Sequence, residues 1–308
     1  MDIFFSVDKN YLPYLYITIH SILKNADIED KFNFYILQND FSIEDKRAFN
    51  KLLNTYDFSI EFLDICTEKL EKCRPEGYHL PLPTFYRYLI PELKPELPKA
   101  IYLDVDILVK GSLKNLWKTD ISDYMFAAVE DFYYLSKADY KEMIGLEQSS
   151  SYFNAGILLM NLRKMSNDDT GLKLIKSSID NISVFKLGDQ DALNKVCEGQ
   201  ILKVSADFNY QASMIKNCKK KLKHKKSHII IHNLGPDKKY IYNIFYTKGL
   251  DFEYKILGLK VYIKSLPSIL RVKRSELFSL IRNTPIIGEL IYLNYKNIKS
   301  KLVTVKQG

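Results

Sequence analysis

Cysteine is scarce in this chain of 308 residues: Cys66, Cys73, Cys197 and Cys218 include no C-x-x-C pair and no disulfide-like spacing. That excludes a disulfide-stapled scaffold and suits a reducing compartment. A signal peptide is not visible either, because Met1 to Val7 lacks a basic start and runs straight into Asp8 and Lys9. No apolar run is long enough to span a bilayer. There is no internal repeat, and the only low-complexity stretch is a lysine cluster. These absences predict a cytoplasmic protein. Hydrophobic residues make up 46% of the chain, enough to bury one large domain with appendages.

Charge is abundant but uneven. The net value of +8 is concentrated in two places. Lys216, Lys219, Lys220, Lys221, Lys223, Lys225 and Lys226 form one cluster. From Leu250 onward, eleven Lys and Arg stand against four Asp and Glu. From about Tyr262, Leu277, Ile281, Ile286, Leu290, Ile291, Ile298 and Leu302 alternate with Lys and Arg, the pattern of a helix lying in a membrane interface. The expectation is therefore two regions: a catalytic domain over 1–250, and a basic amphipathic tail over 251–308. The tail would dock on an anionic surface, the inner face of the plasma membrane. An amphipathic helix packed on its own domain, or a dimer interface, would give the same pattern. Nucleic acid is not expected, since no recognition motif accompanies the lysines.

The stretch Ile101-Tyr-Leu-Asp-Val-Asp-Ile-Leu-Val109 draws most attention. If it is one extended strand, Asp104 and Asp106 point to one side and Val105 to the other. Two carboxylates in apolar surroundings call for a cation between them. A divalent metal there could carry a diphosphate. The triplet alone is weak, because Asp189 and Asp191 repeat it. His232, at the end of the apolar run Ile229-Ile-Ile, would add a nitrogen ligand and tilt the preference from Mg²⁺ toward Mn²⁺.

Upstream the chain alternates strand and helix. Asp2–Val7, Phe32–Leu37 and Ser59–Leu63 read as strands. Tyr11–Lys24 reads as a helix, and Ser42 with Asp45 opens another. This order predicts an α/β fold with a parallel sheet flanked by helices and ligands beyond the strand ends. Asp8, Asn10 and Asp104 would then face one crevice. Thr84–Ile90 reads as a short helix inside a proline-rich segment. Phe126–Val129, Gly156–Asn161 and Ile229–His232 are further strands, Leu172–Ile182 is a helix, and Gly188-Asp-Gln-Asp opens a further one.

Five ordered motifs resemble the family 8 retaining glycosyltransferases. They are Met1–Tyr11, Tyr102–Val109, Tyr152-Phe-Asn-Ala-Gly-Ile-Leu-Leu-Met-Asn161, Asp189-Gln-Asp-Ala-Leu-Asn194 and His232-Asn-Leu-Gly-Pro-Asp-Lys238. The likeness covers roughly residues 1–250 and is nearest to bacterial lipooligosaccharide α-galactosyltransferases, with glucosyltransferases and glycogenins in the same family. It implies a GT-A type, Rossmann-like mixed sheet, a UDP-sugar donor, Mn²⁺ (with Mg²⁺ as the alternative) and net retention. By position, Asp104, Asp106 and His232 match the metal ligands, with Val105 between the carboxylates in the donor site. Asp8, Asn10 and Tyr11 match the uridine pocket, and Gly235 and Lys238 the diphosphate contacts. Arg87, Asn154, Ala155, Asp189 and Gln190 match residues around the donor hexose. Asp131 and His79 fall near the expected acceptor, an oligosaccharide or glycolipid of the cell surface. Two departures stand out. Lys238-Lys239-Tyr240 replaces a Lys-Pro-Trp ending, which bears on loop closure over the donor, and Leu187 replaces an aromatic, which bears on acceptor preference.

Gln190 is a poor nucleophile, since a neutral amide oxygen lacks a carboxylate's charge. Front-face attack, with the leaving diphosphate taking the acceptor proton, is the favoured route to retention, and Asp131 or Asp191 is the alternative nucleophile. A self-glucosylating or protein-glycosylating transferase would share these motifs. An aspartate-nucleophile phosphatase is disfavoured by Leu108 and Leu193 at its motif positions, and a non-enzymatic polyanion binder remains a distant reading.

Overall fold

The computed structural model describes residues 1–53, 56–74, 80–211 and 228–232. The described residues belong to one compact unit, Met1–Lys239. Strand β1 (Asp2–Ser6) leads through a 3-10 turn into helix α1 (Leu12–Lys24). Ile3, Phe4 and Phe5 are all fully buried, and Leu15, Ile19 and Ile22 of α1 are buried as well. That is what a central strand covered on both faces requires. β2 (Asn33–Gln38) follows, then α2 (Ile43–Leu53), which opens on a reciprocal cap: Asp45 N–H donates to Ser42 Oγ at 3.1 Å and Ser42 N–H to Asp45 Oδ2 at 3.0 Å. β3 (Ser59–Asp64) completes the first half. β4 (Ala100–Leu103) pairs with β1, and β1, β2, β3 and β4 all run parallel.

The rest of the sheet is mixed rather than parallel throughout. β5 (Ile107–Val109) leaves it, and β6 (Phe126–Glu130) and β7 (Phe153–Met160) return to it. β7 lies antiparallel between β4 and β6. Helices α3 (Thr170–Asp180) and α4 (Asp189–Val196) follow, then β8 (Ile201–Lys203), β9 (Tyr210–Gln211) and β10 (Ile230–His232). The large sheet has the order β3-β2-β1-β4-β7-β6-β8, and a small one the order β5-β10-β9. Because β7 is reversed, its first residues reach the same sheet edge as the carboxyl ends of β1, β4 and β6. Ligands gather at such an edge.

The short helix expected over Thr84–Ile90 is present as a 3-10 helix over Leu82–Leu89, passing into a single α-turn at Ile90–Leu93; Pro91, with no N–H to offer, sits at the start of that turn. One expectation is corrected, at Asp104 to Asp106. The chain bends there, and the apolar run is divided between two sheets, β4 in one and β5 in the other. Helix α1 holds the bend. The buried Thr18 hydroxyl lies 2.8 Å from Val105 O and 3.1 Å from Ile107 O, and Val109 N–H donates to Ser21 Oγ at 3.0 Å. The simple alternation argument for the two carboxylates therefore does not apply.

Candidate active site

The bend brings three electron-rich groups together. One ligand atom each from Asp104, Asp106 and His232 lies within 4.8 Å of the others. His232 Nε2 is 3.2 Å from Asp106 Oδ1 and 3.8 Å from Asp104 Oδ2. Asp104 arrives from the end of β4. His232 arrives on β10, opposite Ile107 of β5 and beside Gln211 of β9. His232 is fully buried, Asp106 nearly so, and Asp104 is open to the crevice. The two carboxylates repel each other unless a positive charge stands between them, and two hard oxygens with one imidazole nitrogen suit a divalent ion. Gly156 makes the approach possible. A Cβ built there would fall 2.3 Å from His232 Cε1 and 2.7 Å from Asp104 Oδ2.

Arg87 ties the trio to helix α4. Its guanidinium is almost fully buried; Nη2 pairs with Asp104 Oδ1 at 3.1 Å, and Nη1 donates to Ala155 O at 2.5 Å. Nε lies 3.1 Å from Asp189 Oδ2, but its hydrogen goes to Thr84 O at 2.9 Å. Asp189 Oδ2 is therefore a buried ion-pair partner with no hydrogen bond of its own. Burial pushes the Asp189 carboxyl up to about 7, against the pull of Arg87. Tyr102 lies under Arg87, 4.1 Å from ring centroid to guanidinium carbon, and its hydroxyl donates to Asp104 Oδ1 at 3.1 Å.

A buried amide network occupies the next layer. Asn154 Nδ2 donates to Gln190 Oε1 at 3.1 Å and to Asp131 Oδ2 at 3.3 Å. Gln190 Oε1 also accepts from Ala155 N–H at 3.0 Å, and Gln190 Nε2 donates to Asp131 Oδ2 at 3.2 Å. The Gln190 oxygen thus has two donors already. Asp131 Oδ1 accepts from the backbone N–H groups of Tyr133 and Tyr134 at 3.1 and 3.3 Å.

At the end of β1, Asp8 caps the 3-10 turn Lys9–Tyr11 by accepting from Asn10 N–H at 2.8 Å. Asp8 and Tyr11 are half-buried and Asn10 exposed. Burial raises the Asp8 carboxyl above its ordinary range, partly offset by that Asn10 N–H. Burial raises the hydroxyl of Tyr14, in the first turn of α1, above its ordinary range, with Tyr11 and Asp106 adding to the effect, and its ring lies 5.5 Å from that of Tyr11.

A profile described as glycosyl transferase family 8 matches residues 2–240. The chain belongs to that family. A putative glycosyltransferase of Haemophilus influenzae is 38% identical over 241 residues, covering 77% of this chain and 72% of that protein. The lipopolysaccharide 1,3-galactosyltransferase of Salmonella typhimurium is 28% identical over 246 residues, with the same two coverages of 77% and 72%. Among solved structures, the galactosyltransferase LgtC, in complex with donor and acceptor sugar analogs, superposes with a TM-score of 0.74 at 25% identity. That match covers 84% of this chain and 96% of that one. The family resemblance and the expected GT-A type mixed sheet are thereby borne out. As a family 8 member the chain is a metal-dependent, retaining glycosyltransferase with a nucleotide-sugar donor and a saccharide acceptor.

Of the expected site residues, Arg87, Asp104, Asp106, Asp131, Asn154, Ala155, Asp189, Gln190 and His232 are joined by the contacts above, where the edge of the large sheet meets β10, and Asp8, Asn10 and Tyr11 follow β1, the strand beside β4. Asp191 faces elsewhere. It is fully buried, and its carboxylate accepts from Tyr152 Oη at 2.5 Å, Tyr140 Oη at 2.8 Å and Leu187 N–H at 2.8 Å. That makes it an anchor for the turn before α4. His79, Gly235, Lys238 and the lysine cluster lie outside the described residues, as does the tail over 251–308. Sequence reasoning passed over Thr18, Gly156 and Asn209. Only Gly156 carried a signal, as an isolated glycine inside a strand pattern, which marks a close approach.

Proposed function

We propose that this glycosyltransferase moves a hexose, galactose or glucose, from a UDP-hexose to a saccharide acceptor during synthesis of a cell-surface lipopolysaccharide or lipooligosaccharide. The observation that carries the reading is the Asp104, Asp106 and His232 trio, set against Arg87 and the amide network at the sheet edge. The similarity to the lipopolysaccharide 1,3-galactosyltransferase of Salmonella typhimurium supports the acceptor class. Asp104, Asp106 and His232 would hold a divalent ion, taken here as Mn²⁺ on the strength of the imidazole ligand, which when bound would supply Lewis acidity toward the diphosphate leaving group. Asp8, Asn10 and Tyr11 bind uridine: a carboxylate accepts the uracil N–H and a tyrosine ring covers the base. Gly235 and Lys238, outside the described residues, match the family motif for the diphosphate. Arg87, with Asp189, Asn154 and Ala155, orients the hexose.

The Gln190 oxygen is engaged by two donors, and Asp131 and Asp191 are both saturated with hydrogen bonds. This supports front-face attack over a protein nucleophile. The acceptor oxygen bonds the anomeric carbon as the carbon–oxygen bond to the diphosphate breaks, and the departing diphosphate oxygen receives the acceptor proton. Hydrolysis of a UDP-sugar panel, with and without Mn²⁺, tests the donor assignment. Asp106→Asn, which keeps shape and removes charge, should lower turnover by several orders of magnitude with the fold intact. An active Asp106→Asn protein, or full activity in excess chelator, overturns the reading.

We further propose that residues 251–308 form a separate segment that docks the catalytic domain, residues 1–250, on the inner face of an anionic membrane. Its seven-charge surplus, eleven basic against four acidic residues, coincides with an apolar stripe. Among the described residues, no helix is long and apolar enough to cross a membrane. Vesicle co-sedimentation of the full chain, comparing anionic with neutral lipid, is the test. Equal partitioning onto both refutes it.

A further inference from the structure

We infer that Asn209 is a positioning residue for the metal: it fixes His232 with its proton on Nδ1, so that the Nε2 lone pair faces Asp104 and Asp106. This rests on the reading of that trio as metal ligands.

A chain of hydrogen bonds, fixed at both ends by groups that can play only one role, sets the ring. Gly156 N–H can only donate, and it lies 3.0 Å from the Asn154 side chain, so the atom facing it is Oδ1. At the other end of the same amide stands the Asp131 carboxylate, which accepts from Nδ2. With Asn154 so oriented, its Oδ1 also accepts from Asn209, and the Asn209 atom at 2.8 Å must be Nδ2. Asn209 Oδ1 is then the atom 2.9 Å from His232 Nδ1. An amide oxygen only accepts, so Nδ1 carries the hydrogen. Asn209 and His232 are fully buried, which leaves no bulk water to take over the role.

The contrary influence is also present. Asp106 Oδ1 sits 3.2 Å from Nε2, and alone it would draw the single proton of a neutral ring there. A protonated Nε2 has no lone pair for a metal. Asn209 answers that pull from the opposite nitrogen, as outer hydrogen bonds to ligating histidines generally do. Asn209 is the cap that ends the 3-10 turn Ala206–Phe208, one residue before β9, so its side chain is placed by the strand that flanks β10.

The test reads the ring and the metal separately. ¹⁵N shifts of the His232 imidazole, taken with and without Mg²⁺, should show Nδ1 protonated throughout in the wild-type protein. In Asn209→Leu the proton should move to Nε2, and the dissociation constant for Mn²⁺ alone, from the electron-spin-resonance signal of free ion, should rise roughly 10- to 100-fold. Asn209→Asp keeps an acceptor at Nδ1, so the proton should stay there, although its second oxygen meets Asn154 Oδ1 without a hydrogen between them. A bare Nδ1 in the wild type overturns the inference even if no variant folds. So does an Asn209→Leu protein with unchanged Mn²⁺ affinity when His232→Ala has lost it. If His232→Ala binds Mn²⁺ as tightly as wild type, the metal-site reading itself fails, and this inference with it.

Discussion

Gly156→Ala adds one methyl group at the most crowded point of the site. The glycine lies inside β7 with backbone angles open to any residue, so the substitution is a purely steric probe. The added carbon would sit 2.3 Å from His232 Cε1 and 2.7 Å from Asp104 Oδ2. Ordinary carbon–carbon contact is about 3.5–4.0 Å, so the ring must withdraw by more than about 1 Å. β7 cannot yield instead, because Gly156 O accepts Asp104 N–H at 2.7 Å and β4 and β6 flank it on both sides. Overpacking of this kind costs about 1–3 kcal/mol, hence a melting temperature lower by several degrees in a domain this size. The functional loss should be larger. Metal ligands tolerate displacements of about 0.2 Å, and a misplacement near 1 Å costs on the order of 100-fold in rate. The assay is threefold: circular-dichroism melting, Mn²⁺ titration by electron spin resonance, and turnover of the nucleotide sugar. A folded Gly156→Ala protein with Mn²⁺ affinity and turnover within twofold of wild type would refute the assignment of His232 and Asp104 to one cluster.

Thr18→Val removes the hydroxyl that braces Val105 O and Ile107 O while keeping its volume; it should weaken Mn²⁺ binding and cost about 1–3 kcal/mol, with Thr18→Ser restoring both, read by titration and urea unfolding. The Asp189 carboxyl sits at about 7 when folded against an ordinary value near 4. The folded state therefore holds the proton more tightly, and its contribution is complete below pH ~4 and lost as pH rises through ~7. Metal-free protein should lose stability over that window in urea titrations, and Asp189→Asn should flatten the profile. Tyr152→Phe leaves the buried Asp191 carboxylate one donor short and should destabilise by about 1–3 kcal/mol without abolishing Mn²⁺ binding. Complete loss of metal binding in a folded Tyr152→Phe protein would show that the anchor and the trio are one unit.

The site was legible in sequence where residue type and local order coincide. Asp-x-Asp at the end of an apolar run, Asn-Ala-Gly at the start of another, and Asp-Gln-Asp after a glycine each carry their own context. Strand direction is not written in that way. Nothing in Phe153 to Met160 says that it runs against its neighbours, because the alternation of side chains is the same both ways. The bend at Val105 was equally hidden, since its cause is Thr18, far back in the chain and unremarkable inside a helix. Asn209 escaped for the same reason: a lone asparagine gains meaning only from the histidine it meets.

The two sheets share a timing problem. His232 and Asp106 are 126 residues apart, and β5 has no partner in the small sheet until β10 exists. On a ribosome, β1 to β3 can pair within the first 64 residues, whereas the ligand set is complete only when nearly the whole catalytic region has emerged. Non-local closure of this kind is slow. Until then β5 presents an open strand edge, and Asp104 and Asp106 face each other with no imidazole between them. On the proposed reading of the trio as metal ligands, the site closes last, and a nascent chain stopped before residue 230 should hold little Mn²⁺, however well its first strands have formed.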